Sequence, residues 1–249
     1  MNKTTGIIIG ILVLVFGGLV VWSISNSKTT AINYEKYDAS KIISANDDNG
    51  NIEEHVRGKK DAEVVFVEYY DFQCAGCASS QKRIDQLVQE YGDRVAFVSR
   101  NFPINGHQNA RAAASAVESA SKQGYYFEMA DAVFSNQATW SYASGSERTD
   151  LFVNLFKQSA PKGDSEQFKT DMGDKDILKK IDFDYNLGNK ISKVSGTPSF
   201  FVNGQSIDFA GAKTDEKFMS VMYEKLDAAL KDKGLETGAK TSTESTTEE

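Results

Sequence analysis

Only two cysteines, two histidines and three prolines occur in 249 residues. The histidines, His55 and His107, stand far apart and far from the cysteines. The four ligands of a structural zinc centre are therefore not offered in a usual spacing, and no metal is expected. Positive charge is also short: 28 Lys and Arg face 35 Asp and Glu, for a net charge of −7 without a basic cluster. That balance excludes nucleic acid as a partner. Residues 238–249 hold no apolar side chain larger than alanine. They cannot bury enough surface to order themselves, so 234–249 is expected to be a disordered tail.

Against this polar background one run stands out. Residues 6–24 carry no charge, and Lys3 and the α-amino group precede them. The length is close to the ~20 residues that span a bilayer. Positive charge ahead of the run keeps residues 1–5 in the cytoplasm and sends the remainder across. The expectation is a single-pass membrane protein with 6–24 as its transmembrane anchor. Ser23-Ile24-Ser25 is a passable cleavage site, and cleavage after Ser25 would make the domain secreted or periplasmic. No cysteine follows the run, which excludes a lipid-anchored mature N-terminus. By either route the domain reaches a compartment where disulfides persist. Residues 25–54 are polar and read as a stalk, with a turn cluster at Asp47-Asp48-Asn49-Gly50-Asn51 that lacks the ligand spacing of a calcium loop.

The two cysteines, Cys74 and Cys77, lie two residues apart after the strand-like run Val64–Tyr70. They open a segment with helical periodicity over 74–91, in which Ile84, Leu87 and Val88 share a face. A thiol at a helix start meets unpaired backbone N–H groups and the positive end of the helix dipole, which stabilise a thiolate. A second thiol one turn later can close a disulfide with it. A merely structural disulfide here would close a four-residue loop and restrict the unfolded chain little. A redox pair is the stronger reading.

Further strands are expected at 94–100, at Ser199–Val202 and, beyond an Asn203-Gly204 hairpin turn, at 206–209. Helical periodicity marks 110–120, 126–134, 150–156, 176–191 and 214–230, with Thr214 as an N-cap. The order is strand, helix, strand, a long helical block, a hairpin and a final helix. A parallel pair joined through the cysteine helix, with an antiparallel hairpin added, makes a thioredoxin-like α/β domain over 55–233. The block at about 108–191 is too long for a connection and reads as a helical insertion.

Three stretches in register carry a resemblance. They are Val67-Glu68-Tyr69-Tyr70-Asp71-Phe72-Gln73-Cys74-Ala75-Gly76-Cys77, then Arg100-Asn101-Phe102-Pro103 with His107 and Ala110, and finally Val194-Ser195-Gly196-Thr197-Pro198-Ser199-Phe200-Phe201-Val202-Asn203-Gly204. Together they resemble the DsbA-type thiol:disulfide oxidoreductases, in the membrane-anchored or secreted bacterial branch. The resemblance implies Cys74 as the exposed nucleophile and Cys77 as its buried partner. Glu68 would be the acid beneath the site that moves the proton of Cys77; a solvent-facing strand glutamate is the alternative. Thr197 and Pro198 would be the cis-proline pair that faces the disulfide and meets the substrate chain. His107 reads as a helix-start or packing residue, and Trp140 and Tyr142 as core, with the lining of a substrate groove as the alternative. The family carries proline after the first cysteine, often with an aromatic or histidine next. Here Ala75-Gly76 occupies those positions, so they are read as redox-tuning, with a weaker oxidising drive expected.

The implied function is an extracytoplasmic oxidase that needs no cofactor. It would act on reduced exported proteins and be reoxidised by a quinone-linked membrane partner. A disulfide reductase or isomerase is the alternative in the same chemistry, although no dimerisation segment is evident. A redox-inert binding module or chaperone is the alternative from another class, and the intact Cys74, Cys77, Thr197 and Pro198 set argues against it.

Overall fold

Val64–Tyr70 is buried at every position, the mark of a strand covered on both faces. In the computed structural model, which describes residues 31–212 and 214–239, this strand is β2 of a five-stranded sheet in the order β1-β3-β2-β4-β5. The others are β1 (His55–Gly58), β3 (Val95–Asn101), β4 (Ser199–Val202) and β5 (Gln205–Ser206). β2 and β3 run parallel, from Val64 opposite Val95 to Tyr70 opposite Asn101. β4 pairs antiparallel with β2, setting Glu68 against Phe200 and Tyr69 against Ser199. Asn203 (φ 46°) and Gly204 (φ 81°) make the expected hairpin turn, because the left-handed backbone there suits asparagine and glycine. The Asn203 side chain also accepts the Val65 N–H at 2.9 Å.

Alternation along β2 sorts the core. Val64 and Phe66 pack with Ile84, Leu87 and Tyr91 of α1 (Ala75–Tyr91) and with Met222, Leu226 and Leu230 of α8 (Asp215–Asp232). Val65, Val67 and Tyr69 face the other way, onto Phe102, Val194 and Phe201. The helical insertion lies between β3 and β4. It comprises α2 (Ala110–Ser121), α3 (Tyr126–Ser135), the one-turn α4 (Gln137–Trp140), α5 (Gly145–Ser159), α6 (Ser165–Asp171) and α7 (Lys175–Leu187), closed by a π-helical turn at Gly188–Ser192. Its apolar faces share one cluster with Tyr70, Phe72 and Cys77, so the insertion packs directly behind the cysteines.

A buried polar joint fixes the insertion to the sheet. The Asn101 amide donates to Glu118 Oε1 at 2.6 Å and Asp184 Oδ2 at 3.1 Å, and Lys180 Nζ donates to Asp184 Oδ1 at 2.6 Å. His55 Nε2 lies 2.8 Å from Glu118 Oε2, with its ring stacked on Tyr126.

Three expectations are corrected. Residues 34–54 are not a stalk. Tyr34, Ile43, Asn49 and Glu54 are buried, and Arg100 anchors the segment. Its guanidinium pairs with both Glu54 oxygens at 2.6 and 3.1 Å and donates to the Ala39 and Lys41 carbonyls at 2.7 Å each. Nor is the chain free from residue 234: Gly238 N–H donates to Asp227 at 2.7 Å, and its carbonyl accepts from Arg94. The strand expected at 206–209 is regular only over Gln205–Ser206; the Ile207 N–H still donates to the Phe200 carbonyl at 2.9 Å, and beyond it Phe209 packs on Phe200 and Phe218. The anchor expected at 6–24 and the tail from 240 lie outside the described residues. Among the described residues no helix is long and apolar enough to cross a membrane.

Candidate active site around Cys74 and Cys77

Cys74 is the N-cap of α1, with extended backbone angles (φ −77°, ψ 120°) and no capping bond from its side chain. Its carbonyl starts the helix by accepting the Ala78 N–H at 3.1 Å, while the first-turn N–H groups stay free of intrahelical partners. The Cys74 thiol is half-buried and donates to the Thr197 carbonyl at 3.3 Å. Cys77, one turn on, is fully buried, and its sulfur accepts the Asp71 N–H at 3.5 Å. Both are free thiols.

The two sulfurs differ in acidity. A hydrogen bond from the Cys77 thiol, joined by Thr197 and the backbone N–H groups of Cys77 and Gly76, outweighs burial and lowers Cys74 to about 5. Burial, reinforced by Cys74 and by the Glu68 charge, pushes Cys77 well above the ordinary thiol range. None of the groups that acidify Cys74 is a side chain at position 75 or 76.

Glu68 lies on the α1 face of β2, in line with Val64 and Phe66, and is 3% exposed. The solvent-facing alternative is therefore excluded. Burial raises its carboxyl to about 8, against the smaller opposing pull of Arg57 and of the Ser80 and Gln81 side chains. Its Oε1 has no hydrogen-bond partner. The Thr197–Pro198 peptide is cis, as expected. Gly76 is pressed against this loop: a Cβ there would stand 3.2 Å from Pro198 Cδ and 3.6 Å from Cys74 Sγ. Cys74, Cys77, Glu68, Thr197, Pro198 and Gly76 thus converge, with Ala75 exposed on the rim.

His107 sits apart from the sulfurs. Its Nδ1 lies 2.8 Å from Asp71 Oδ2, which also accepts the Ile104 N–H at 2.7 Å. Trp140 is in the core as expected, whereas Tyr142 is 85% exposed and is not core. Two neighbours of the cysteines went unread in the sequence. Asp71 organises the loop that carries them, and its place just before Phe72-Gln73-Cys74 was the available signal. Gln137 reaches the same loop from the insertion, and nothing in its local sequence marks it. Among the described residues no cluster of three or more His, Cys, Asp or Glu is disposed to hold a metal ion.

Comparison with known proteins agrees with this geometry. A family model described as thioredoxin matches residues 50–232. The chain is 33% identical over 204 residues to a probable disulfide bond formation protein D of Bacillus cereus, covering 80% of this chain and 87% of that protein. It is also 34% identical over 156 residues to a Na(+)/H(+) antiporter, NhaA 3, of Salinispora tropica, a match over 61% of this chain that spans only 22% of the antiporter's length. In fold it superposes on oxidised BdbD from Bacillus subtilis with a TM-score of 0.61 at 21% identity, over 78% of this chain and all of that one. The chain belongs to the thioredoxin family.

Proposed function

We propose that this enzyme forms disulfides in exported proteins, with its catalytic domain outside the cytoplasm and residues 6–24 as a single membrane anchor. The observation that carries the reading is the asymmetry of the pair: a half-buried acidic thiol beside a fully buried, weakly acidic one. In the oxidised enzyme a substrate thiolate attacks Cys74 Sγ. The Cys74–Cys77 bond breaks and Cys77 takes the electron pair. Glu68, protonated at neutral pH, supplies the proton that Cys77 needs and regains one from solvent. The substrate's second thiol then loses its proton and attacks its own sulfur in the mixed disulfide, expelling Cys74 as a stable thiolate. The substrate has lost two electrons and two protons. The enzyme holds both electrons and one proton, and the other proton is in solvent. A quinone-linked membrane partner accepts the electrons and restores the disulfide. Thr197 and Pro198, against Cys74, meet the substrate chain during the exchange.

The name of the Bacillus cereus relative, a probable disulfide bond formation protein, supports this direction of flux. The experiment is trapping. Cys74→Ser abolishes exchange, whereas Cys77→Ser accumulates mixed disulfides through Cys74. Adducts formed through Cys77 would refute the assignment, and a glutathione equilibrium strongly favouring the Cys74–Cys77 disulfide would make the enzyme a reductase instead.

A further inference from the structure

Cys74 is held from outside its own helix. Gln137, the first residue of α4 in the insertion, donates through Nε2 to the Phe72 carbonyl at 2.6 Å and to the Cys74 carbonyl at 3.0 Å. These two carbonyls bracket the cysteine. Gln73, between them, is gripped by the same insertion. Its Oε1 accepts the Asn109 N–H at 2.8 Å, and its Nε2 donates to the Ser141 carbonyl at 3.0 Å. Asn109 in turn donates to the carbonyls of Trp140, Ser141 and Ala143 at 2.8–3.0 Å and receives Arg148 at 2.6 Å. The C-terminal end of α4, the helix that Gln137 begins, is thereby tied to the residue before α2.

We propose that Gln137 is a positioning residue for Cys74: by holding the carbonyls on either side of the cysteine, it fixes the angle at which the N-terminus of α1 meets the sulfur, and so replaces the stiffening that proline at position 75 would give.

The physical reason lies in the first turn. The free N–H groups stabilise a thiolate only while they point at it, and their direction depends on ψ of Cys74, which the orientation of its carbonyl sets. Within the helix a single bond, from the Ala78 N–H at 3.1 Å, holds that carbonyl; Ala75-Gly76 adds no stiffness, since glycine leaves the backbone its widest freedom, whereas proline at the first helical position presets φ. A donor that ties down the Cys74 carbonyl does the same work from the far side.

The inference rests on Cys74 as the attacking thiol, and its test is separate from the trapping experiment. In Gln137→Leu, titration of Cys74 by thiolate absorbance should shift its midpoint up by about one pH unit. The equilibrium with glutathione should move about tenfold toward the disulfide, a weaker oxidant. Adding Ala75→Pro to that variant should restore both. If Gln137→Leu does not fold, Gln137→Asn, one methylene too short to reach both carbonyls, takes the same measurements. A folded variant with an unchanged Cys74 titration and unchanged equilibrium refutes the inference. So does a loss of thermal stability that is equal in the oxidised and reduced forms, which would mark Gln137 as structural only. Exchange surviving in Cys74→Ser would instead overturn the reading of the pair itself.

Discussion

Replacing Glu68 by glutamine should make the protein more stable and, at the same time, a slower catalyst. An ordinary glutamate titrates near 4.5, and burial raises Glu68 to about 8. Between those values the folded chain binds a proton that the unfolded chain has released, so stability falls as pH rises through the window. Each pH unit there removes ~1.4 kcal/mol. By neutral pH the wild-type enzyme has lost on the order of 3 kcal/mol, and the loss levels off only above pH ~8. Glutamine has nothing to ionise, and because Oε1 of Glu68 has no partner, the substitution breaks no hydrogen bond at that atom. Urea unfolding of the reduced protein at a series of pH values between 5 and 9 measures the difference directly. The two curves should meet near pH 5 and separate steadily toward pH 8. Single-turnover reduction of the disulfide by a dithiol peptide should be slower in the variant, because Cys77 loses its proton source. Parallel stability curves would mean that Glu68 titrates normally in the folded chain; unchanged exchange rates across the same range would remove it from the proton path.

Two further outcomes follow from the site and its supports. Changing Ala75-Gly76 to Pro-His should lower Cys74 below about 5 and strengthen the oxidant, since a charge-assisted contact adds ~1.5–3 kcal/mol; Gly76→Ala serves as the control for the 3.2 Å approach to Pro198, and coincident thiolate titrations would show that the backbone alone sets the acidity. Glu54→Leu should destabilise the fold by about 3–5 kcal/mol by leaving the buried Arg100 charge unpaired; a loss below ~1 kcal/mol in chemical unfolding would mean that the pair behaves like an exposed one.

How legible all this was depends on whether a residue's partners are near it in sequence. Val64–Tyr70, the cysteine helix and the Asn203-Gly204 hairpin declare themselves through periodicity and turn chemistry, and the structure has each of them. His55–Gly58 did not, because its four residues show neither alternation nor an apolar run, and three of them are only half-buried. Residues 34–54 read as a stalk because their anchors are polar: a segment held by Glu54, Asn49 and backbone carbonyls leaves no trace in hydropathy. Within the site, Cys74, Cys77 and Pro198 are visible by spacing and by resemblance. The burial of Glu68 needed the register of β2 against β4. Gln137 is 63 residues from the cysteine it touches, and only the packed insertion brings the two together.

The polar joint between insertion and sheet bears on how such an enzyme can change over time. Asn101 from β3, Glu118 from α2 and Lys180 and Asp184 from α7 meet in a buried cluster, and the half-buried His55 from β1 closes its edge. Along the chain the helices look like an added cassette that could be lost or exchanged. Excising them would strand an imidazole and an amide on one side and three charges on the other, each needing a new partner at once. Removing one partner of a buried ion pair costs about 3–5 kcal/mol, so changes at the seam are costly one at a time. The helices are therefore locked to this sheet as a lineage, free to vary on their outer faces and around Tyr142 but not at the seam, and a donor insertion from a relative would transplant only together with the strands that hold its charges.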